Sequence, residues 1–110
     1  MEKREEILKR AKQAILKTLE KENVRVKKIV LFGSRARGME DVKSDWDFLI
    51  VTENAIPIQI KMKLTGKLLK ALAKERIPAD VILKSEEEVE YYKNYTMSVV
   101  KEAIKTGTPI

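Results

Sequence analysis

The stretch from Ile29 to Val51 constrains this chain more than any other, because it reads as a strand, a glycine-bounded turn and a second strand. The first strand ends on Gly33 and Ser34, and the second begins with Asp45 and Asp47. Side chains alternate between the faces of a strand, so the two carboxylates point the same way, with Cα atoms roughly 7 Å apart. Two carboxylates that open an apolar strand are costly to bury unless a cation lies between them. A divalent metal is the natural candidate for that cation.

Composition restricts the chemistry that such a site can use. The 110 residues include no cysteine and no histidine, which excludes disulfides, thiolate nucleophiles, Ser-His relays and zinc sites built from Cys or His. Any metal must be held by oxygen, which favours Mg²⁺, Mn²⁺ or Ca²⁺. The length suits one compact domain over residues 1–110. No apolar run approaches a membrane span, so we expect a cytoplasmic protein with no membrane contact.

Hydrophobic periodicity predicts helices alternating with short strands. The predicted helices cover residues 2–22, 57–76 and 94–105, and the predicted strands cover residues 24–32, 45–51 and 79–83. Ser85 and the three glutamates after it are typical of a helix N-cap and an acidic first turn. Gly107 and Pro109 are expected to end the last helix. The first helix is amphipathic and is expected to cover one face of the sheet.

The turn after the first strand has the features of an anion site. A strand that turns through glycine into the start of a helix presents free backbone N–H groups, which bind phosphate together with the helix dipole. Ser34 adds a hydroxyl donor, and Arg35 and Arg37 add positive charge. Taken alone, such a turn is more often a simple connection than a binding site.

A third carboxylate, Asp80, heads the apolar run Asp80–Leu83. If this run lies beside the second strand, all three carboxylates meet at one edge of the sheet. Mg²⁺ prefers one or two carboxylates together with substrate oxygens, and two such ions can clamp the attacking and leaving oxygens of a phosphoryl transfer. The third carboxylate is placed to help remove a proton from the nucleophile.

The motif GSRARG, followed by SDWD, resembles the nucleotidyltransferase domain of the DNA polymerase β superfamily. Ten residues separate the Gly-Ser pair from the Asp-x-Asp pair. A short single-domain chain with this spacing resembles the minimal nucleotidyltransferases (MNT), which often serve as the antitoxin of a HEPN–MNT toxin–antitoxin pair. The resemblance implies an α+β nucleotidyltransferase fold, in which a small mixed sheet of three or more strands is flanked by helices.

The resemblance also implies roles for the motif residues. Gly33 and Ser34 would hold the triphosphate of ATP, and Arg35 and Arg37, in the same loop, would also bind the nucleotide, although the motif does not fix their individual roles. Asp45 and Asp47 would bind two Mg²⁺ ions, and Asp80 would complete the metal site and assist deprotonation of the acceptor. In this family the partner is a HEPN-type RNase toxin. The antitoxin binds the toxin in a hetero-oligomer and transfers AMP from ATP to one of its tyrosines.

Three other functions remain open. They are an antitoxin that acts by contact without catalysis, a transferase that modifies small-molecule hydroxyls, and a nucleic-acid binder. The last follows from a net charge of +6 and from a stripe of lysines. The stripe comprises Lys63, Lys67, Lys70 and Lys74. No aromatic residues interleave with it, as they do in single-strand binders, so we do not expect nucleic acid as a direct ligand.

Two sets of aromatic residues are expected to be structural. Trp46 lies between the two aspartates in sequence and so points to the opposite face of the strand, into the core. Tyr91, Tyr92 and Tyr95 are close in sequence and are expected to pack near the last helix.

Overall fold

The computed structural model describes residues 2–36, 45–95 and 98–110, over which helices and strands alternate. The elements are α1 (Arg4–Lys21), β1 (Val26–Phe32), β2 (Trp46–Thr52), α2 (Ile58–Lys74), β3 (Ala79–Ser85), α3 (Glu86–Tyr92), α4 (Val99–Thr106) and β4 (Thr108–Pro109). The strands form one sheet in the order β3-β2-β1-β4. Strand β2 is parallel to β3 and antiparallel to β1, and β4 is antiparallel to β1. The predicted α+β fold with a small mixed sheet is confirmed.

One face of the sheet is covered by α1 and α2. Each helix buries one apolar stripe at helical spacing, because only one side of it meets the sheet. The stripe of α1 consists of Ala11, Ile15 and Leu19, and that of α2 consists of Leu64, Leu68 and Leu72. Both pack against Trp46, Phe48 and Ile50, which alternate along β2. Trp46 is 3% exposed, so its predicted place in the core is confirmed.

The opposite face of the sheet is covered by the C-terminal elements. Val30 and Leu49, from neighbouring positions of β1 and β2, pack with Ala103 of α4. Ile82 of β3 and Val89 of α3 lie against the same cluster. This second layer is thinner than the first, since α3 and α4 have only seven and eight residues. It is also the layer next to the carboxylates discussed below.

The end of the chain differs from the prediction in two ways. A helix was predicted over 94–105, but α4 begins only after Ser98, whose hydroxyl accepts a hydrogen bond from the N–H of Lys101 and so caps the helix. Gly107 ends α4 as predicted, but the chain then continues into strand β4, which pairs with β1 and was not predicted. A Cβ atom on Gly107 would lie 2.8 Å from the carbonyl oxygen of Leu31. Only glycine therefore allows this close approach, which hydrophobic periodicity does not reveal.

Ser85 joins the sheet to the second layer, and its replacement has a measurable cost. Its hydroxyl accepts a hydrogen bond from the N–H of Glu88 (3.1 Å), and the Glu88 carboxylate accepts one from the N–H of Ser85 (2.9 Å). This capping box confirms the predicted cap. We expect Ser85→Ala to lower the free energy of unfolding by about 1 kcal/mol in urea titrations. Glu87→Gln, at an exposed position of the same first turn and outside the capping box, is the control. A loss from Glu87→Gln equal to that from Ser85→Ala would contradict the capping role.

Candidate active site

The register of the sheet brings the predicted residues to one end of it. Phe32, the last residue of β1, pairs with Asp47 of β2, and Asp47 pairs with Asp80 of β3. Gly33 and Ser34 follow Phe32 directly, so the Gly-Ser turn and the Asp-x-Asp pair lie at the same end. The strand directions explain why these residues lie together. Because β2 is parallel to β3 and antiparallel to β1, the start of β2, the start of β3 and the end of β1 lie at the same end of the sheet.

The carboxylates share one face of the sheet. Directly paired residues of neighbouring strands project to the same side, so Asp47 and Asp80 do so, and Asp45 precedes Asp47 by two residues. Trp46 projects to the other side, into the core beneath α1 and α2. Asp45 and Asp80 are exposed, whereas Asp47 is partly buried. The predicted convergence of Asp47 with Asp80 on one face is therefore present in the register.

Asp47 is the electrostatic centre of this end of the sheet. Burial raises the pKa of the Asp47 carboxyl above its ordinary value, and the negative charges of Asp80, Asp45 and Glu102 raise it further. Desolvation and like charges both disfavour an ionised carboxylate. A cation bound at Asp47 would lower the free-energy cost of its ionised form. Perturbed carboxylates of this kind are concentrated at functional sites.

Glu102 is a member of this acidic group that the sequence analysis did not identify. It lies on α4, more than 20 residues after Asp80, and it reaches the group only because α4 packs on the same face of the sheet. A single glutamate on the polar side of an amphipathic helix carries no signal of its own in the sequence. Its effect on Asp47 becomes visible only from the packing of α4.

Gly33 makes room for Asp47. Its φ angle is +77°, in the left-handed region that residues with a side chain rarely adopt. A Cβ atom at Gly33 would overlap Oδ2 of Asp47 and lie 3.2 Å from its Cγ. The turn that follows is closed by a hydrogen bond from the N–H of Ala36 to the Gly33 carbonyl oxygen (3.2 Å). The predicted tight turn through Gly33 is thus present, and it places the backbone against the Asp47 carboxylate.

The other residues of the predicted anion loop have different positions. Ser34 is partly exposed within the turn that begins at Gly33. Arg35 places its guanidinium over the ring of Trp46, 4.3 Å from the centroid, which is on the opposite side of β2 from Asp47. Arg37, the fourth residue of the predicted loop, lies outside the described residues.

The described carboxylates fit a cation by chemistry and charge, although they are not gathered into a finished site. They supply oxygen atoms, which Mg²⁺ prefers, and they repel one another around Asp47. No group of three or more acidic side chains within residues 2–36, 45–95 and 98–110 is arranged to hold a metal ion as it stands. Binding would therefore require rotation of the exposed side chains of Asp45 or Asp80 towards Asp47.

The fold and this end of the sheet define a nucleotidyltransferase. Residues 13–110 match the family model described as "Polymerase beta, Nucleotidyltransferase", so the chain belongs to that family. The resemblance seen in the GSRARG and SDWD motifs is thereby confirmed. No curated protein matches the chain.

Solved structures with the same fold come from toxin–antitoxin complexes. One, a toxin–antitoxin crystal structure with AMP-PNP, contains a chain 23% identical to this one, with a TM-score of 0.57 and coverage of 88% of this chain and 69% of that chain. Another, the toxin–antitoxin MntA-HepT, contains a chain 21% identical, with a TM-score of 0.52 and coverage of 90% and 68%. At this level of identity the likeness shows the fold.

Proposed function

We propose that this protein is a Mg²⁺-dependent adenylyltransferase that transfers AMP from ATP to a tyrosine hydroxyl of a cognate HEPN-type RNase toxin and so neutralises it. The observation that carries the proposal is the pairing of Asp47 with Asp80 beside Gly33, at the end of the sheet where β1 finishes. Membership of the nucleotidyltransferase family supports the reaction class. The shared fold with chains of toxin–antitoxin complexes, one of them with an ATP analogue, supports the partner and the nucleotide.

Each motif residue has a role in this proposal. The Gly33–Ser34 turn binds the triphosphate through backbone N–H groups and the Ser34 hydroxyl, and Arg35 and Arg37 supply positive charge. Asp45, Asp47 and Asp80 hold the metal; Mg²⁺, when bound, neutralises phosphate charge and the mutual repulsion of the carboxylates. Since phosphoryl transfer requires mainly positioning and charge neutralisation, these groups suffice without histidine or cysteine.

The transfer itself balances without a further reactant. The tyrosine oxygen forms a bond to the α-phosphorus of ATP, and the bond from that phosphorus to the α,β-bridging oxygen breaks. Pyrophosphate leaves, and the tyrosine proton passes to the Asp80 carboxylate. The new phosphodiester adds a negative charge and bulk to the toxin. This chemistry would take place in the cytoplasm, where both ATP and an RNase target are present. Within the described residues, no helix has the length and apolar character needed to cross a bilayer.

The proposal predicts labelling of the toxin. With α-³²P-labelled ATP, Mg²⁺ and the cognate toxin, we expect label on a toxin tyrosine. We expect at least about 10²-fold less from Asp45→Asn/Asp47→Asn, because the developing charge is then left without its metal. The matched control is Glu53→Gln, which removes a carboxylate directly after the other end of β2 and should label normally. An unlabelled toxin, with the wild-type protein folded and toxin-bound, would exclude the transferase.

A second function rests on the shared fold with chains of toxin–antitoxin complexes, which supports contact with a toxin whether or not AMP is transferred. The protein would then neutralise the toxin by contact alone. The double aspartate variant separates the two functions in cells. If it protects cells from the toxin as well as the wild type does, contact is sufficient. If protection is lost while binding is retained, catalysis is required.

A further inference from the structure

Strand β3 is an edge of the sheet, and its outer side has hydrogen-bonding groups facing away from β2. The N–H of Trp46 donates to the carbonyl oxygen of Pro78 (2.9 Å) in a parallel ladder without register shifts. Backbone groups of even-numbered residues of β3 therefore face β2, and those of Val81 and Leu83 face outward, because neighbouring residues of a strand alternate. An apolar edge strand with outward-facing N–H and C=O groups is a template for pairing with another strand.

Apolar grooves lie on both sides of this edge. One, of about 500 Å³, is bounded by β3, α3 and α4 and is lined by residues that include Ile82, Tyr92, Tyr95 and Val99. The other, of about 400 Å³, is bounded by α2 and β3 and is lined by residues that include Ile58, Met62 and Leu83. Exposed large hydrophobic side chains are frequent here: Ile58 is 67% exposed and Met62 is 69% exposed. A strand added to the edge would place alternate side chains in the two grooves.

The sequence of β3 is complementary to itself when it is read in the opposite direction. In Asp80-Val81-Ile82-Leu83-Lys84, the acidic and basic residues stand at equal distances from Ile82, and aliphatic residues lie between them. An antiparallel pairing centred on Ile82 places Asp80 opposite the partner's Lys84 and Val81 opposite the partner's Leu83. The outward-facing backbone groups of Val81 and Leu83 then meet outward-facing groups of the second strand. Other centres along this stretch lose the match of opposite charges.

From these observations we propose that two copies of this chain associate through antiparallel pairing of their β3 strands, centred on Ile82, to form one continuous eight-stranded sheet. Charge complementarity selects a second copy as the occupant of the edge, because each Asp80 gains an opposite charge and no like charges face each other. The exposed apolar side chains along the two grooves become covered. The proposal does not depend on the transferase activity.

The dimer brings a residue of the second copy to the acidic group. Cross-strand neighbours have Cβ atoms roughly 5 Å apart, so the partner's Lys84 lies beside Asp80. In the single chain, the Lys84 nitrogen is 3.9 Å from a Glu88 carboxylate oxygen and 5.0 Å from the centre of the Tyr92 ring. Both contacts are long and only partly buried, so the lysine can turn towards Asp80. The partner then places a positive charge beside Asp80, one strand away from Asp47.

A single introduced cysteine tests the pairing and its register. The chain has no cysteine, and a residue on the two-fold axis faces its own copy. Ile82 would form a non-hydrogen-bonded pair with itself, with Cα atoms about 4.5 Å apart, within the range that a disulfide spans. We expect Ile82→Cys to become a disulfide-linked dimer under mild oxidation, and Val81→Cys, whose thiol faces the partner's Leu83, to associate without forming the covalent link. Equal cross-linking of both variants, or reactive but unlinked thiols in Ile82→Cys, overturns the proposal.

Charge reversal tests the same pairing without a covalent bond. Lys84→Glu places a carboxylate opposite Asp80 at two symmetric positions, and we expect the dissociation constant of the dimer to rise at least about tenfold in sedimentation equilibrium. Lys63→Glu, with the same change of charge at an exposed position of α2, is the control and should leave it unchanged. A wild-type protein that stays monomeric at high micromolar concentration overturns the proposal. The same holds if the edge of β3 pairs with a strand of the toxin and not with a second copy. Toxin labelling is measured separately, so failure here does not affect the proposed reaction.

Discussion

Gly33→Ala is expected to destabilise the protein by about 1–2 kcal/mol and to abolish nucleotide transfer. The cost in stability comes from a side chain at φ +77°, in the left-handed region. The new methyl group also overlaps Oδ2 of Asp47, and the carboxylate must rotate away from it, which moves Asp47 out of its place in the site. For a domain of this size, the loss corresponds to a fall in Tm on the order of 8 °C. Thermal unfolding followed by circular dichroism measures it, and labelling of the toxin measures the transfer.

The chain offers a matched control for Gly33→Ala. Gly66 lies within α2, and a Cβ atom there would have no neighbour within 4 Å. Gly66→Ala should raise the free energy of unfolding by roughly 0.5–1 kcal/mol, since alanine loses less backbone entropy in a helix than glycine. Both substitutions replace glycine by alanine, but their expected effects on the free energy of unfolding are opposite. A Gly33→Ala protein as stable as the wild type would contradict the strain expected of a side chain in this turn.

Asp47→Asn is expected to stabilise the metal-free protein while it removes catalysis. Burial, and after it the neighbouring negative charges, raise the pKa of Asp47 in the folded state, so its ionised form is unfavourable there. An amide of nearly the same shape removes that repulsion. Because the site is partly open to solvent, the gain should be on the order of 0.5 kcal/mol. Transfer should fall at least about 10²-fold, as expected when the charge of the transferred phosphoryl group is no longer neutralised.

The raised pKa of Asp47 also determines the direction in which the free energy of unfolding changes with pH. Because the pKa of Asp47 is raised on folding, the native carboxyl retains its proton at pH values at which the unfolded one has lost it. Stability therefore falls as pH rises from the unfolded pKa, near 3.8, through the raised native pKa. The advantage of Asp47→Asn should grow over this window and then level off. Urea titrations across this range measure it, and an advantage that shrinks as pH rises would contradict the repulsion around Asp47.

Addition of Mg²⁺ should reverse the order of the two proteins. A cation that binds only the folded state raises the stability of the wild type, by about 2.7 kcal/mol at a concentration of one hundred times Kd. Asp47→Asn lacks the central carboxylate and should gain much less. If the metal stabilises both proteins equally, it binds elsewhere.

Local patterns in the sequence predicted most of the elements near the candidate site, because each one is encoded by its own residues. The apolar run after the Asp-x-Asp pair indicated β2, helical spacing indicated α1 and α2, and Ser85 with Glu88 indicated the start of α3. The proximity of Asp47 and Asp80 was predicted only for the case in which β3 lies beside β2. The structure has this strand order, but no local sequence pattern requires it.

What the sequence did not reveal depends on contacts between distant parts of the chain. Strand β4 has two residues and exists because Gly107 lets the chain approach β1. Glu102 acts on Asp47 only through the packing of α4. Arg35 was predicted to bind nucleotide from its place in the loop, but local sequence does not show that its guanidinium lies over Trp46. The role of Arg35 at the nucleotide stays a prediction.

The stacking of Arg35 on Trp46 gives the protein an optical reporter of its own. Trp46 is the sole tryptophan of the chain, and it stands between Asp45 and Asp47 in sequence. Its indole is shielded from solvent and has a charged group from the Gly-Ser turn against its ring. Tryptophan emission depends on nearby charge and hydration, so we expect a movement of this turn to change the fluorescence of Trp46 without any attached dye.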